Sequence, residues 1–421
     1  MDTCATPRQI YADRLTERTQ RLEASSRRRD RIGYLRLLVF LGAAAIFWYA
    51  FHGISIWWIA APMTIFTVLV WRQARFEREA ECARRAMRFY ERGIERLENR
   101  WQGRGEDGAR FADPHHPYAS DLDLFGRASL FELLSTARTR GGEERLANWL
   151  KSASAPSTTS DELITRHEAI DELRPLLELR EQLAVLGDDY RTGVNPTQLV
   201  QWSAQPANRF PVWMRIPALI FSLTTAAMLI WWLSTDLKDP NARLGVIGIA
   251  AVEGLFALPM RNRILGIVLS VAEPARDLDL LSQILATLEK QQFRSTLLVA
   301  LRKAIDVDGQ PASRRIASLR RLSDMLDSRD NPFVRALGPL LLWTTQLGMA
   351  IESWRAENGP QVAGWLDAVS AMEALSSLAN YAWERPNDPF PRFAPHESEP
   401  CFDGRGSWAS PVARGQVRAE R

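Results

Sequence analysis

Two apolar blocks, one near residues 35–71 and the other near 216–260, constrain this chain more than any other feature of its 421 residues. Residues 35–51 and 54–71 are apolar almost throughout. At about 1.5 Å of helical rise per residue, each covers roughly 25 Å of hydrocarbon. His52 and Gly53 leave room only for a tight turn between them. Arg27, Arg28, Arg29 and Arg31 precede the pair, Arg72 and Arg75 follow it, and no arginine sits at the turn, which assigns both open ends to the cytoplasm. Residues 216–233 and 244–258 repeat the arrangement, with Arg215 ahead and Arg261 and Arg263 behind. Trp57 and Trp58 fall at the same outer interface as Trp231 and Trp232, where indole rings are favoured. The expectation is an all-α membrane protein with two transmembrane helical hairpins, multi-pass in the inner (cytoplasmic) membrane, both termini cytoplasmic and the lipid bilayer its first partner.

One acid interrupts the second block. Glu253 sits in the middle of the fourth span, where a charge facing lipid costs a few kcal/mol. Two readings stand. As a functional group Glu253 is a proton or ion site; as a structural one it is protonated, turned to the bundle by neighbouring Gly248, Ala250 and Gly254, and bonded to Thr224 or Thr225.

Charge and cysteine content narrow the function classes. A net charge of +3 argues against holding nucleic acid by bulk electrostatics, although local basic clusters remain able to do so. Cys4, Cys82 and Cys401 are odd in number and far apart, so neither a disulfide framework nor a zinc knuckle follows, and a reducing compartment is the simpler reading. At 46% hydrophobic and 24% charged, the chain holds enough apolar material for two or three packed units.

The remaining segments read as helices and loops. Residues 1–31 form a charged cytoplasmic helix leading into the first hairpin (32–72), and 73–120 comprise a second charged helix and a linker. Ala83, Ala86, Phe89, Tyr90, Ile94 and Leu97 make a narrow stripe on that second helix, which suits antiparallel pairing with the first. In the glycine- and proline-rich linker 103–120, His115 and His116 invite a metal reading, but no third ligand stands at suitable spacing, so solvated linker histidines are the expectation. Asp121 and Asp123 are a turn or helix cap before they are paired catalytic carboxylates. Residues 121–200 begin with Leu130, Leu133, Leu134 and Ala137 at helical spacing, interrupted by Gly141 and Gly142, and resume with Leu146, Trp149 and Leu150. The second hairpin occupies 210–264, and 265–393 carries one 3.6-period apolar face after another, broken by loops around residues 306–311 and 328–332. Arg314, Arg315, Arg320 and Arg321 form a basic face, suited to phosphate or anionic headgroups, or simply solvated beside Asp324 and Asp327.

Two segments carry a family resemblance. Thr136, Thr139, Gly142, Arg145, Leu146, Trp149, Leu150, Ile164 and Arg166, within 121–188, resemble the start of the lever domain in MutS-type DNA mismatch-repair ATPases. Glu373, Ser376, Ser377, Leu378, Ala379 and Ala382 resemble the returning arm of that lever. The two matches bracket the second hairpin, and the layout resembles that of membrane-anchored MutS-like proteins over about residues 31–393. The resemblance implies a MutS-lever-like cytoplasmic helical domain, DNA as a partner, a homodimer, and ATP with Mg as ligands of a full-length relative. No G-x-x-x-x-G-K-[ST] occurs in these residues, so there is no loop of backbone N–H groups to cradle phosphates and no lysine to reach them. No mismatch-reading wedge precedes residue 121 either. The chain is therefore expected to bind no cofactor or metal and to have no catalytic residues. Residues 394–421 lack periodicity and end without the ATPase that such a lever would enter, which suggests a truncated product. The functional expectation is a non-enzymatic anchor and lever module. A helical membrane scaffold without a DNA role and, more remotely, a transporter fragment are the alternatives.

Overall fold

The computed structural model describes residues 6–50, 60–152, 159–193, 196–206, 212–234, 239–307, 309–327 and 341–388, together with 210, 338, 390 and 391. The fold is all-α: 81% of the described residues are helical. Contacts divide the chain into two compact units. The first comprises Met1–Ala137, Leu146–Asp188 and Ala374–Arg421; the second comprises Arg138–Arg145 and Asp189–Glu373.

In the first unit, α1 (Pro7–Ala50) and α2 (Ala60–Leu97) run antiparallel. Arg8 pairs with Glu98 at one end, and Arg36 Nη1 lies 2.8 Å from Gln73 Oε1 further along. Close approach depends on Gly93: a Cβ there would lie 2.4 Å from the ring of Tyr11. The expected stripe on α2 is what is buried, with Phe89 and Tyr90 edge-on to Tyr11 in a core that includes Ala184 and is flanked by Trp383. Beyond this core, Leu37, Leu38, Phe40, Leu41, Ile65 and Val68 are exposed.

The segment expected to be a solvated linker is instead built into this unit. Trp101 is buried, and Gly108, at φ 64, brings the backbone against the ring of Phe131. Phe111 and Phe125 then join the core of Phe131, Leu134, Leu146, Ala147 and Ala374. His116 is half-buried, edge-on to Tyr118, with Nε2 3.1 Å from the carbonyl of Lys151; His115 stays exposed. Asp121 and Asp123 are exposed turn residues, Asp123 at φ 48.

The helical break in the opening motif also lies elsewhere than expected. Ser129 caps the short α3 (Leu130–Leu134), its hydroxyl accepting from Glu132 N. Residues 135–139 are not helical, with Ser135 extended, and α4 (Arg140–Lys151) then begins with Gly141 and Gly142 in its first turn. The glycines open a helix; they do not interrupt one. After α4 come α5 (Ser160–Leu173), capped by Thr159, and α6 (Leu177–Gly193).

The second unit contains α7 (Pro196–Ala204), α8 (Val212–Ser234), α9 (Pro240–Ala257), α10 (Arg261–Glu289), α11 (Thr296–Ile305), α12 (Ala312–Asp327) and most of α13 (Trp343–Glu384). Asp239 caps α9, accepting from Asn241 N at 2.9 Å, with Pro240 in the first turn, where its missing N–H costs nothing. A 3-10 turn at Leu258–Met260 connects α9 to α10, so the helical path continues past the expected end of the fourth span. Two stretches, Met214–Trp232 and Arg243–Glu289, are long and apolar enough to cross a membrane; among the described residues only these two are. Of the expected first hairpin, the turn at His52 and Gly53 and the pair Trp57 and Trp58 lie outside the described residues, as does the tail 394–421.

Further along, α10 buries Leu278, Leu281, Ile284, Leu285 and Leu288, and α12 buries Ile316, Leu319 and Leu326. The loop expected near 306–311 contains a two-residue antiparallel ladder, Asp306–Val307 with Gln310–Pro311, turning at Gly309 with φ 72. α13 runs unbroken through Asn358, Gly359 and Pro360, although this run of helix-breaking types would be expected to end a helix. Gly359 is required by proximity, because a Cβ would stand 2.4 Å from the carbonyl oxygen of Ser203.

Candidate functional site

Helix α13 carries polar residues at 373, 377, 380 and 384, a spacing of four, three and four that aligns them on one helical face. All four are buried, which an otherwise apolar face tolerates only if each polar atom finds a partner. Within the second unit, Glu373 accepts from Arg138 N at 3.4 Å, from Thr139 N at 3.1 Å and from the Thr139 hydroxyl. Thr139 Oγ1 in turn accepts from Gly142 N at 3.0 Å, capping α4. Burial pushes the Glu373 carboxyl up to about 7 against the pull of these donors, and the Glu143 carboxyl nearby adds to the rise. Gly141 meets the same helix closely, since a Cβ would collide with the Ser370 hydroxyl. Arg145 pairs with Asp367.

Within the first unit, Thr136 donates to Ser377 Oγ through its backbone N–H at 3.1 Å and lies 3.2 Å from it through its own hydroxyl. Asn380 Nδ2 donates to Thr136 Oγ1 at 2.9 Å, and Arg180 donates to Asn380 Oδ1. Arg180 is 1% exposed; its other donor reaches the Arg174 carbonyl at 2.8 Å, and its guanidinium stands 5.7 Å from the Trp383 ring centroid. Glu384 completes the face, receiving Arg96 Nε at 2.9 Å and the Tyr11 hydroxyl at 3.0 Å. A second buried pair joins Arg18 to Glu181, with Nε–Oε1 2.7 Å and the Tyr90 hydroxyl 2.5 Å from Oε2. Burial first, and the adjoining carboxylates second, push both phenols above their ordinary range. These groups are matched to one another, and the arrangement orients helices; it presents no nucleophile and base to a reacting atom.

Of the residues named from the motifs, Thr136, Thr139 and Arg145 meet α13 directly, two of them on its Ser377 and Glu373, whereas Gly142 bonds to Thr139. Arg96, Arg180, Glu181, Asn380 and Glu384 were missed. Asn380 and Glu384 are signalled only by the polar spacing on α13, and the others not at all, since Glu384 finds Arg96 and Tyr11 at separations of 288 and 373 residues.

The intramembrane candidate resolves to one hydroxyl. Thr225 Oγ1 donates to Glu253 Oε1 at 2.7 Å, whereas Thr224 is exposed and returns its hydroxyl to the Ile220 carbonyl at 2.8 Å. Glu253 is 1% exposed, and its Oε2 has no partner among the described residues. It lines a cavity of about 890 Å³ with Ala250, Leu255, Leu258, Ile264, Leu265 and other residues of the second unit. A Cβ at Gly248 or Gly254 would meet nothing within 4 Å.

The expected basic face is divided. Arg314 and Arg321 are exposed, but Arg315 is half-buried, with Nη1 3.0 Å from Asn358 Oδ1, and Arg320 is held by Asp279 and Asp324. Anionic neighbours thus already occupy part of the charge that phosphate would need. No protein-family model, curated protein or solved structure matches this chain.

Proposed function

We propose that this chain is the membrane-anchored lever module of a MutS-like machine: a non-catalytic set of helices that couples a membrane-inserted hairpin to cytoplasmic arms. The observation that carries the reading is the pairing of its two MutS-like segments. Thr136 on Ser377 and Thr139 on Glu373 link stretches 241 and 234 residues apart by a part-buried and a buried hydrogen bond, which supports reading them as the start and the return of a lever. A transmitted displacement needs rigid elements connected in this way. Anchoring is supported by the apolar α8 and α9, on which Ile216, Leu219, Leu223, Ile247 and Leu255 are exposed. In this reading the first apolar block supplies a second hairpin in the inner membrane, both termini are cytoplasmic, and the lever acts as a homodimer on DNA. ATP and Mg belong to the phosphate-loop domain of a full-length relative.

The test is retention of branched or duplex DNA by the detergent-solubilised chain across a salt series. The lever reading expects binding that falls as salt rises, whereas no retention at low ionic strength refutes the DNA role. The second reading, a helical scaffold without nucleic acid, draws support from one observation: Arg315 and Arg320 are engaged by Asn358, Asp279 and Asp324.

A further inference from the structure

We propose that the Glu253 cavity is a binding site for a lipophilic cation, specifically an amphiphilic amine whose ammonium group hydrogen-bonds to the free carboxyl oxygen while its hydrocarbon chain lies along the apolar wall. The inference does not depend on the lever reading. Three observations on one face carry it. The carboxyl group is 1% exposed, yet only Oε1 is served, by the Thr225 hydroxyl. The other oxygen has no partner among the described residues and belongs to a residue that lines the cavity. A buried polar atom left in this condition costs free energy comparable to a lost hydrogen bond, and an intramembrane acid is costlier still, so an arriving donor is favoured.

The cavity walls select the remainder of the ligand. Ala250, Leu255, Leu258, Ile264 and Leu265 offer hydrocarbon, and about 890 Å³ lies within the range of sites that enclose drug-sized molecules. Gly254, which lines the cavity beside Glu253, has nothing within 4 Å of where a Cβ would stand, so that part of the wall stays open. Among head groups of equal size, an ammonium supplies both a cation and several N–H donors to the carboxyl, an alcohol supplies one weaker donor, and a carboxylate supplies none. Arg261 lines the same cavity but is exposed and eight residues further along the chain, so it marks the mouth, where an anionic head group would be drawn.

The experiment uses the full chain in phosphatidylcholine nanodiscs and three probes with one chain length: dodecylammonium, dodecanol and dodecanoate. Modification of Glu253 by the lipophilic reagent dicyclohexylcarbodiimide is followed by mass spectrometry of the peptide that contains it. The proposal expects Glu253 to be labelled and dodecylammonium to protect it at a concentration at least tenfold below that of the other two. Equilibrium dialysis of labelled dodecylammonium should show at least a tenfold loss of affinity in Glu253→Gln, with a smaller loss in Thr225→Val. Equal protection by all three chains would reduce the site to an apolar groove and overturn the proposal. Preferential protection by dodecanoate, which would move the head group to Arg261, overturns it too. Failure of Glu253 to react, or unchanged dodecylammonium binding in Glu253→Gln, also refutes it. The protection assay uses the unmodified protein, so a folding defect in a variant does not decide the outcome.

Discussion

The pairing of Thr139 with Glu373 should weaken as pH rises. Glu373 is buried and its carboxyl is held at about 7, against an ordinary value of 4.5. A group raised in the folded state contributes stability that is complete below its unfolded value and lost as pH rises through its folded value. The window is therefore pH 4.5 to 7, and the loss amounts to about 3 kcal/mol at 1.36 kcal/mol per unit. The direction is set by burial: three donors, from Arg138 N, Thr139 N and the Thr139 hydroxyl, favour the ionised form and still do not offset desolvation.

The assay is hydrogen exchange of a peptide covering residues 136–146, corrected for the intrinsic pH dependence of amide exchange. Protection of the Arg138 and Thr139 amides is expected to fall by about two orders of magnitude between pH 5 and pH 8. Glu373→Gln keeps a neutral acceptor in place, so its protection should stay flat over the same range. Protection that rises with pH in the natural chain would show that the donors outweigh burial. A Gln variant retaining the full pH dependence would show that another group titrates.

The other predictions concern helix contacts, each read from urea unfolding in detergent by tryptophan fluorescence. Gly359→Ala should destabilise by about 1–3 kcal/mol, because its Cβ meets the backbone carbonyl of Ser203, whereas Gly364→Ala, with nothing within 4 Å, should be neutral or stabilising by up to about 1 kcal/mol. Arg96→Met strands the buried Glu384 carboxylate and should cost about 3–5 kcal/mol, most of it recovered when Glu384→Leu is added. Arg8→Ala, at the exposed end of the same helix pair, should leave the unfolding midpoint unchanged. Thr139→Val removes the hydroxyl that serves both Glu373 and the start of α4 and should cost about 1–3 kcal/mol.

Periodicity made the long elements legible. The stripe of Ala83, Ala86, Phe89, Tyr90, Ile94 and Leu97 identified the face of α2 that packs, and the apolar faces of α10 and α12 followed the same rule. Glu253 and its hydroxyl partner were legible because an acid within an apolar run must find a donor nearby. Choosing Thr225 over Thr224 was not legible, since adjacent residues differ by about 100° around the helix and only the packed neighbour decides which faces inward. The segment 103–120 misled for a different reason. Its glycines and prolines mark the absence of helix, yet Gly108 serves close packing on Phe131, and local composition says nothing about a distant ring.

The polar face of α13 shows where local reading ends. A single-sequence scan treats Glu373, Ser377, Asn380 and Glu384 as interruptions of an apolar helix, or as the solvated side of an amphipathic one. They are neither, because Thr139, Thr136, Arg180, Arg96 and Tyr11 reach them from positions far away in the chain. Such matched groups contribute less to net stability than apolar replacements of equal volume, since desolvation offsets most of the pairing energy. What they add is selectivity: a slip of α13 by one turn would part Glu384 from Arg96 and Asn380 from Arg180, leaving the Arg96–Glu384 pair buried and unmatched at a penalty of several kcal/mol per charge. Within each unit, the pairs therefore set one rotational and axial position for the part of α13 that carries them.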